Sequence, residues 1–157
     1  MKKYRAFISI TLLLLCLALL CGCQKKEKFI IDGLVGVNVR NDLGVSLTLT
    51  PGTLSPTGGE FVLYNESEES FSYTGFYSLA KQVDEGWGYM KPTEDSLIFT
   101  LINQELNMFD SYTMNYDWSR AFGELPAGEY RLYKEIIPFQ GNSVQEKFYV
   151  TCEFTIE

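Results

Sequence analysis

The sequence predicts an all-β fold, an antiparallel β-sandwich of about seven or eight strands. Several segments alternate apolar and polar residues with a period of two, and turn-forming residues separate them. Aromatic residues make up 15% of the chain, and β-branched residues are frequent in the same segments. After the first 22 residues, no stretch has the sustained 3.6-residue apolar spacing of a capped helix. A small closed barrel is the alternative architecture.

The strands follow one another along the chain after an ambiguous lead-in at residues 35–39. Residues 45–50 (VSLTLT) alternate cleanly, and residues 71–83 predict one long strand with Gly75 as a bulge. Residues 84–86 (DEG) predict a tight turn into a hairpin strand at 87–91. The other predicted strands are 60–67, 96–102, 108–118, 129–139 and 144–157.

Two of these strands predict which side chains face the core. One face of the 108–118 strand carries Met108, Tyr112, Met114, Tyr116 and Trp118. One face of the last strand carries Phe148, Val150, Cys152, Phe154 and Ile156. A cysteine within an apolar face behaves as a small buried hydrophobic residue, so we expect Cys152 to be unreactive.

The N-terminal segment predicts a secretory signal peptide. Residues 1–5 (MKKYR) are cationic, and the uncharged apolar run after them is shorter than the ~20 residues of a membrane-spanning helix. The run ends in Leu20-Cys21-Gly22-Cys23, which resembles the lipobox of bacterial lipoproteins. The resemblance implies cleavage of residues 1–22 and a diacylglyceryl group on Cys23. It implies a lipid anchor on the extracytoplasmic face of the cell membrane; an uncleaved signal anchor is the alternative.

Composition excludes several functional classes. Removing residues 1–22 leaves 135 of the 157 residues, and the loss of three cations changes the net charge from −7 to −10. We divide these residues into a lipidated tether and lead-in at 23–43 and a single domain at 44–157. An acidic domain repels phosphate, so we expect no nucleic-acid partner. The chain has no histidine, which excludes Ser-His-Asp and Cys-His catalysis and most zinc sites.

Three motifs in order indicate a family over about residues 44–157. The first is Tyr77-x-Leu79 followed by Gly86-Trp87, the second is the stretch from Trp118 to Arg131, and the third is the final CEFTIE. Together they resemble the bacterial immunoglobulin-like (Ig-like) domains of lipoproteins and exported proteins, mostly from Gram-positive bacteria. The LPAGxY turn is also distantly similar to the Ig-like intracellular proteinase inhibitors of bacilli. The resemblance implies an Ig-like sandwich.

The second motif is best explained as a fold signature. Gly128 follows Pro126 where the chain reverses, and Gly123 precedes them in the same turn region. Tyr130 suits a tyrosine corner, in which the hydroxyl bonds to nearby backbone. Trp118 and Trp87 are large enough to fill the space between two sheets.

Four aromatic residues on the predicted hairpin are candidates for contact with a partner: Tyr73, Tyr77, Trp87 and Tyr89. If they face solvent, they can stack on sugar rings or contact a protein. The same residues serve equally well as core and cross-strand pairs.

The acidic loops are weaker candidates. Glu66, Glu68 and Glu69 cluster in one loop, but no acidic stretch has the spacing of an EF-hand. We expect solvated loops, no metal and no cofactor.

These observations predict a non-catalytic binding or adhesion module rather than an enzyme. The diacylglyceryl anchor would hold the domain at the membrane, where it contacts a protein or cell-wall partner. One alternative is a protease inhibitor on the same fold, with its inhibitory loop at residues 93–96 or 138–143. Another is a carbohydrate-binding role for the exposed aromatic residues.

Overall fold

The chain folds into two packed antiparallel sheets, which confirms the predicted sandwich. The computed structural model describes residues 37–84, 86–93, 102–138 and 146–157. The predicted signal peptide and the predicted lipidation site, Cys23, lie outside these ranges. Nine strands and one helix occur within them: β1 Val45–Leu49, β2 Gly58–Asn65, β3 Phe71–Tyr73, β4 Tyr77–Val83, β5 Gly86–Tyr89, β6 Gln104–Leu106, β7 Ser111–Asp117, α1 Ser119–Phe122, β8 Gly128–Pro138 and β9 Phe148–Ile156. In these ranges no helix is long and apolar enough to cross a bilayer.

The smaller sheet has the order β1-β2-β7, and the larger sheet is organised around β8. Strand β8 pairs with β9 along one side, from Gly128↔Ile156 to Ile136↔Phe148. On its other side it pairs first with β4 and then, nearer its C-terminal end, with β3. Strands β5 and β6 extend the sheet beyond β4 and β3. The described strands are all paired antiparallel.

The core lies between the sheets and is rich in aromatic rings. Phe61 of β2 is fully buried, and its ring meets that of Phe154 in β9 edge-on at 5.8 Å. Trp118 stacks on Phe154 at 5.5 Å, and its Nε1 donates to Pro56 O at 2.9 Å. Large rings therefore join the two sheets, and the polar atom of Trp118 is satisfied where it is buried.

The predicted long strand at 71–83 is wrong, because two strands form there. Strands β3 and β4 lie along the same side of β8 and are separated by residues 74–76. The fully buried Lys134 ammonium donates to the carbonyls of Thr74 and Phe76, at 3.1 Å for Phe76. Since these carbonyls bond a side chain instead of a neighbouring strand, the strand breaks there. Burial lowers the pKa of Lys134 to about 8, partly offset by Glu135.

Two other details differ from the sequence prediction. Trp87 lies on the outer face of the larger sheet rather than between the sheets, since it pairs with Gln82, whose side chain points outward. Strand β6 at 104–106 was not predicted. The predicted strand at 96–102 falls outside the described residues apart from Ile102.

The chain enters the domain at one end of the sandwich. Val39 forms a parallel bridge with Tyr149 near the start of β9, and Arg40 N donates to Tyr149 O at 2.9 Å. Strand β8 finishes at this end, where Pro138 pairs with Phe71. The last residue of β2, Asn65, and the β6–β7 turn at 107–110 also lie there, because Asn65 N donates to Asp110 O. We call this the basal end.

Candidate functional site

The structure removes Tyr73 and Tyr77 from the predicted contact surface. Their exposed fractions are 3% and 6%, and both belong to the hydrophobic core. The Tyr77 ring lies 4.5 Å from that of Tyr116. Burial, with a smaller contribution from Asp117, raises the pKa of Tyr77 to about 12. Both side chains face inward, because the smaller sheet covers that face of β3 and β4.

Trp87 and Tyr89 do lie on the outer face, where Arg131 contacts Trp87. The Arg131 guanidinium stacks over the Trp87 ring at 4.2 Å, and its Nε donates to Glu153 Oε1 at 3.1 Å. Burial opposes the charged form of Arg131, but its hydrogen bonds to Glu153 and Tyr133 outweigh burial and raise its pKa. That Trp87 and Tyr89 bind a partner stays a prediction. The Arg131 guanidinium already covers one face of the Trp87 indole.

A more exposed apolar surface surrounds the turn between β6 and β7. Met108 and Phe109 form this turn with exposed fractions of 53% and 63%. Tyr112, at 44%, follows in β7. Tyr64, at 38%, is paired in register with Ser111 and lies on the opposite, outer face of the smaller sheet. We call Met108, Phe109 and Tyr112 the basal patch. Such a group of large exposed side chains is characteristic of an interaction surface.

Sequence reasoning placed two of these residues in the core. It grouped Met108 and Tyr112 with Met114, Tyr116 and Trp118, and the structure buries only the last three. Met108 precedes the strand, so the strand's alternation does not apply to it. Tyr112 points to the inner side, but it lies near the end of the sandwich, where its ring contacts Tyr73 at 5.4 Å and is otherwise open.

Asn65 fixes the basal patch to the adjacent loop at 66–70. Its fully buried side-chain amide donates to Asn107 O at 2.9 Å and to Glu69 O at 2.7 Å. Its Oδ1 accepts from the amide and the hydroxyl of Ser67, at 3.0 and 2.7 Å. One side chain therefore joins both loops, and the Met108–Phe109 turn is held in place before any partner binds.

Phe109 also carries an unusual backbone conformation. Its φ is 57°, the left-handed region that a bulky residue rarely adopts and that glycine adopts freely. An exposed phenylalanine contributes little packing that would offset this cost. Unfavourable backbone geometry of this kind concentrates at functional positions. Exposure and backbone strain thus point independently to the same residue.

A cavity of about 580 Å³ opens beside the patch at the basal end. Its floor is apolar and its rim is acidic. It is lined by Asp42, Leu43, Gly44, Ser67, Glu68, Glu69, Phe71, Pro138 and Phe148.

Comparison with known families decides the relationship. The model of the bacterial Ig-like domain matches residues 41–155. The chain belongs to the bacterial Ig-like domain family. Comparison with curated proteins gives no match. Ig-like domains are typically non-catalytic binding modules, although a fold alone does not assign a function.

The signature residues of this Ig-like domain occupy structural positions. Tyr130 Oη donates to Pro126 O at 2.6 Å, which is the bond of a tyrosine corner. Gly123 and Gly128 have φ of 76° and 152°, values that favour glycine. Trp118 is fully buried. These residues hold the turn after α1, and the two large ones, Trp118 and Tyr130, are buried.

The remaining candidates do not assemble a reactive site within the described ranges. Cys152 is half-buried, and burial raises the pKa of its thiol, which disfavours the nucleophilic thiolate. In the part of the chain that the structure describes, no three acidic or thiol side chains converge as metal ligands. The proposed inhibitory loops at 93–96 and 138–143 lie outside the described residues except for Thr93 and Pro138.

Proposed function

We propose that this Ig-like domain is a lipid-anchored, extracytoplasmic binding module that contacts a macromolecular partner through the basal patch. The proposal rests on the Met108–Phe109 turn. Two large apolar side chains are exposed there, on a backbone that is held in place and strained. The predicted diacylglyceryl group on Cys23 supports the anchored location, since two acyl chains suffice for stable membrane attachment.

Covering Phe109 supplies part of the free energy of binding. An aromatic side chain buries roughly 150–250 Å² in an interface, so covering the exposed part of Phe109 removes roughly 100–150 Å² from water. At about 25 cal/mol per Å², this area contributes about 3 kcal/mol. Because Asn65 already orders the turn, binding costs little additional conformational entropy.

The tether would join the domain at the same end as the patch. In the predicted mature chain, fourteen residues, 23–36, precede Val37, and they span at most about 50 Å when extended. The basal end would therefore stay within that distance of the bilayer in the anchored protein. The proposal puts the partner in the layer next to the membrane rather than at the far end of the domain.

Site-specific photocrosslinking in intact cells tests the proposal. A photoreactive residue at position 109 should give a crosslinked adduct, and one at Glu124, exposed at the opposite end, should not. Met108→Ser should weaken the adduct formed from position 109. Ile102→Ser, a matched loss of an exposed apolar residue outside the patch, should leave it unchanged. Equal yields from positions 109 and 124 would contradict the proposal.

Mass spectrometry of the mature protein tests the anchor separately. The expected N-terminus is Cys23 with a diacylglyceryl modification. An intact precursor with an unmodified thiol at residue 23 would refute lipid anchoring and leave the binding surface to be judged by crosslinking alone.

A further inference from the structure

The surroundings of the basal patch are strongly acidic. Glu66, Glu68 and Glu69 are exposed on the loop that Asn65 joins to the patch, and Asp110 follows Phe109 directly. The ion pairs found among the described residues are Arg40–Asp42, Arg131–Glu153 and Lys147–Glu135. None of them includes these four acids. The apolar patch is therefore bordered by negative charge.

We propose that the basal patch docks a cationic protein segment, in which an apolar side chain is flanked by lysine or arginine. This inference rests on the proposed function and names the kind of partner. The apolar residue would cover Phe109 and Met108, while its basic neighbours face Glu66, Glu68 and Glu69. An apolar centre with a charged rim is the usual composition of a protein interface.

Charge distinguishes this partner from the other surfaces that could cover an apolar patch. Carboxylates beside the patch repel the phosphates of anionic lipid headgroups and of nucleic acids. A symmetric dimer through the patch would bring the acids of both copies together, because an isologous interface places the same residues on both sides. A basic protein segment alone gains from both the apolar and the charged parts of this end.

The geometry also favours rapid and selective recognition. The acids and the apolar turn belong to two loops, but the hydrogen bonds of Asn65 hold them in a fixed relation. Charges around an interface mainly raise the association rate and exclude partners of the wrong sign. The interaction should therefore weaken as salt screens the acids, because the screening length falls below ~10 Å above ~0.1 M salt.

The test uses the full lipidated protein in neutral detergent and two labelled peptides. In the first peptide, leucines are flanked by lysines; in the second, glutamates replace the lysines. Fluorescence anisotropy should show binding of the lysine peptide alone, with roughly tenfold weaker binding between ~0.05 and ~0.5 M salt. The triple variant Glu66→Gln, Glu68→Gln, Glu69→Gln should lose most of the affinity and most of the salt dependence.

Controls separate charge from the apolar contact. Glu124→Gln with Glu129→Gln, at the opposite end, should leave binding of the lysine peptide unchanged. Phe109→Ser should weaken that binding at least fivefold even at high salt, where the electrostatic contribution is small. Circular dichroism of each variant verifies that the fold is intact.

Several outcomes would overturn the inference. Equal binding of the glutamate peptide, no binding of the lysine peptide, or an unchanged affinity of the triple variant would each exclude a cationic partner. Protection of Phe109 by anionic phospholipid vesicles would assign the patch to the membrane instead. Crosslinking from position 109 to a neutral or acidic segment in cells would refute this inference while leaving the proposed function intact.

Discussion

Replacing Asn65 by aspartate should destabilise the domain strongly and in a pH-dependent manner. The substitution keeps the shape of the side chain and its accepting oxygen, which bonds the amide and hydroxyl of Ser67. It removes the two donors. The carbonyls of Glu69 and Asn107, 2.7 and 2.9 Å from the Asn65 nitrogen, would then face a carboxylate oxygen.

The magnitude follows from the number of groups left without a partner. Each buried polar group that loses its hydrogen bond costs about 1–3 kcal/mol. Two carbonyls and a buried charge beside them give a loss of about 3–5 kcal/mol at neutral pH. For a domain of this size, such a loss lowers the melting temperature by on the order of 10–20 °C.

The pH dependence has a definite sign. Burial among carbonyls raises the folded-state pKa of the carboxyl introduced at position 65 above its unfolded value of about 3.9. The penalty is therefore smallest below pH ~4, where the carboxyl is protonated, and grows as the pH rises through the folded-state pKa. A protonated carboxyl can also donate one of the two lost hydrogen bonds.

Urea unfolding followed by tryptophan fluorescence measures this effect at pH 4 and pH 7. Asn103→Asp, an exposed asparagine, is the matched control and should change the free energy of unfolding by less than about 0.5 kcal/mol. A loss below about 1 kcal/mol for Asn65→Asp at pH 7, or equal losses at both pH values, would refute the role assigned to Asn65.

Three further predictions test other parts of the structure. Tyr130→Phe should lower the free energy of unfolding in urea by about 1 kcal/mol, because the bond to Pro126 O is lost. An unchanged free energy would contradict the tyrosine corner. The free energy of unfolding should fall between pH 10 and pH 12, because the pKa of Tyr77 is about 12 in the folded state and about 10 in the unfolded state. Tyr77 contributes on the order of 2–3 kcal/mol to this loss, and Tyr77→Phe should make the fall less steep; an identical slope would contradict it. Phe109→Gly should leave stability unchanged or raise it by up to ~1 kcal/mol, since glycine relieves the left-handed backbone, yet weaken binding of the lysine peptide in the anisotropy assay; a large destabilisation would show that Phe109 packs in the fold.

The sandwich could be predicted because its long strands carry their own pattern. In β9, residues 148, 150, 154 and 156 are buried and their neighbours are more exposed, as the period of two requires. The turn before β8 could also be predicted from the sequence, since proline, glycine and tyrosine occupy the positions that a tyrosine corner needs. Local chemistry determines both features, so a single sequence suffices.

The rest depends on contacts that are distant in sequence. The break between β3 and β4 comes from Lys134, about 60 residues away in sequence. No residue within 71–83 predicts it. The basal patch was missed because its turn uses Phe109 where a left-handed conformation would ordinarily indicate glycine or asparagine. Tyr73 and Tyr77 show the same limit, because alternation alone does not reveal which side of a hairpin the second sheet covers.

Labelling in intact cells with a membrane-impermeant maleimide tests the central claim most directly. Cysteine is introduced at Asn107, an exposed residue directly before Met108, or, as the matched site, at Glu124, each in the Cys152→Ser background. The anchored binding module predicts strong labelling of Glu124→Cys and protection of Asn107→Cys that disappears in the purified protein. Failure to label either site would contradict an extracytoplasmic location, and equal labelling of both would contradict a covered basal patch.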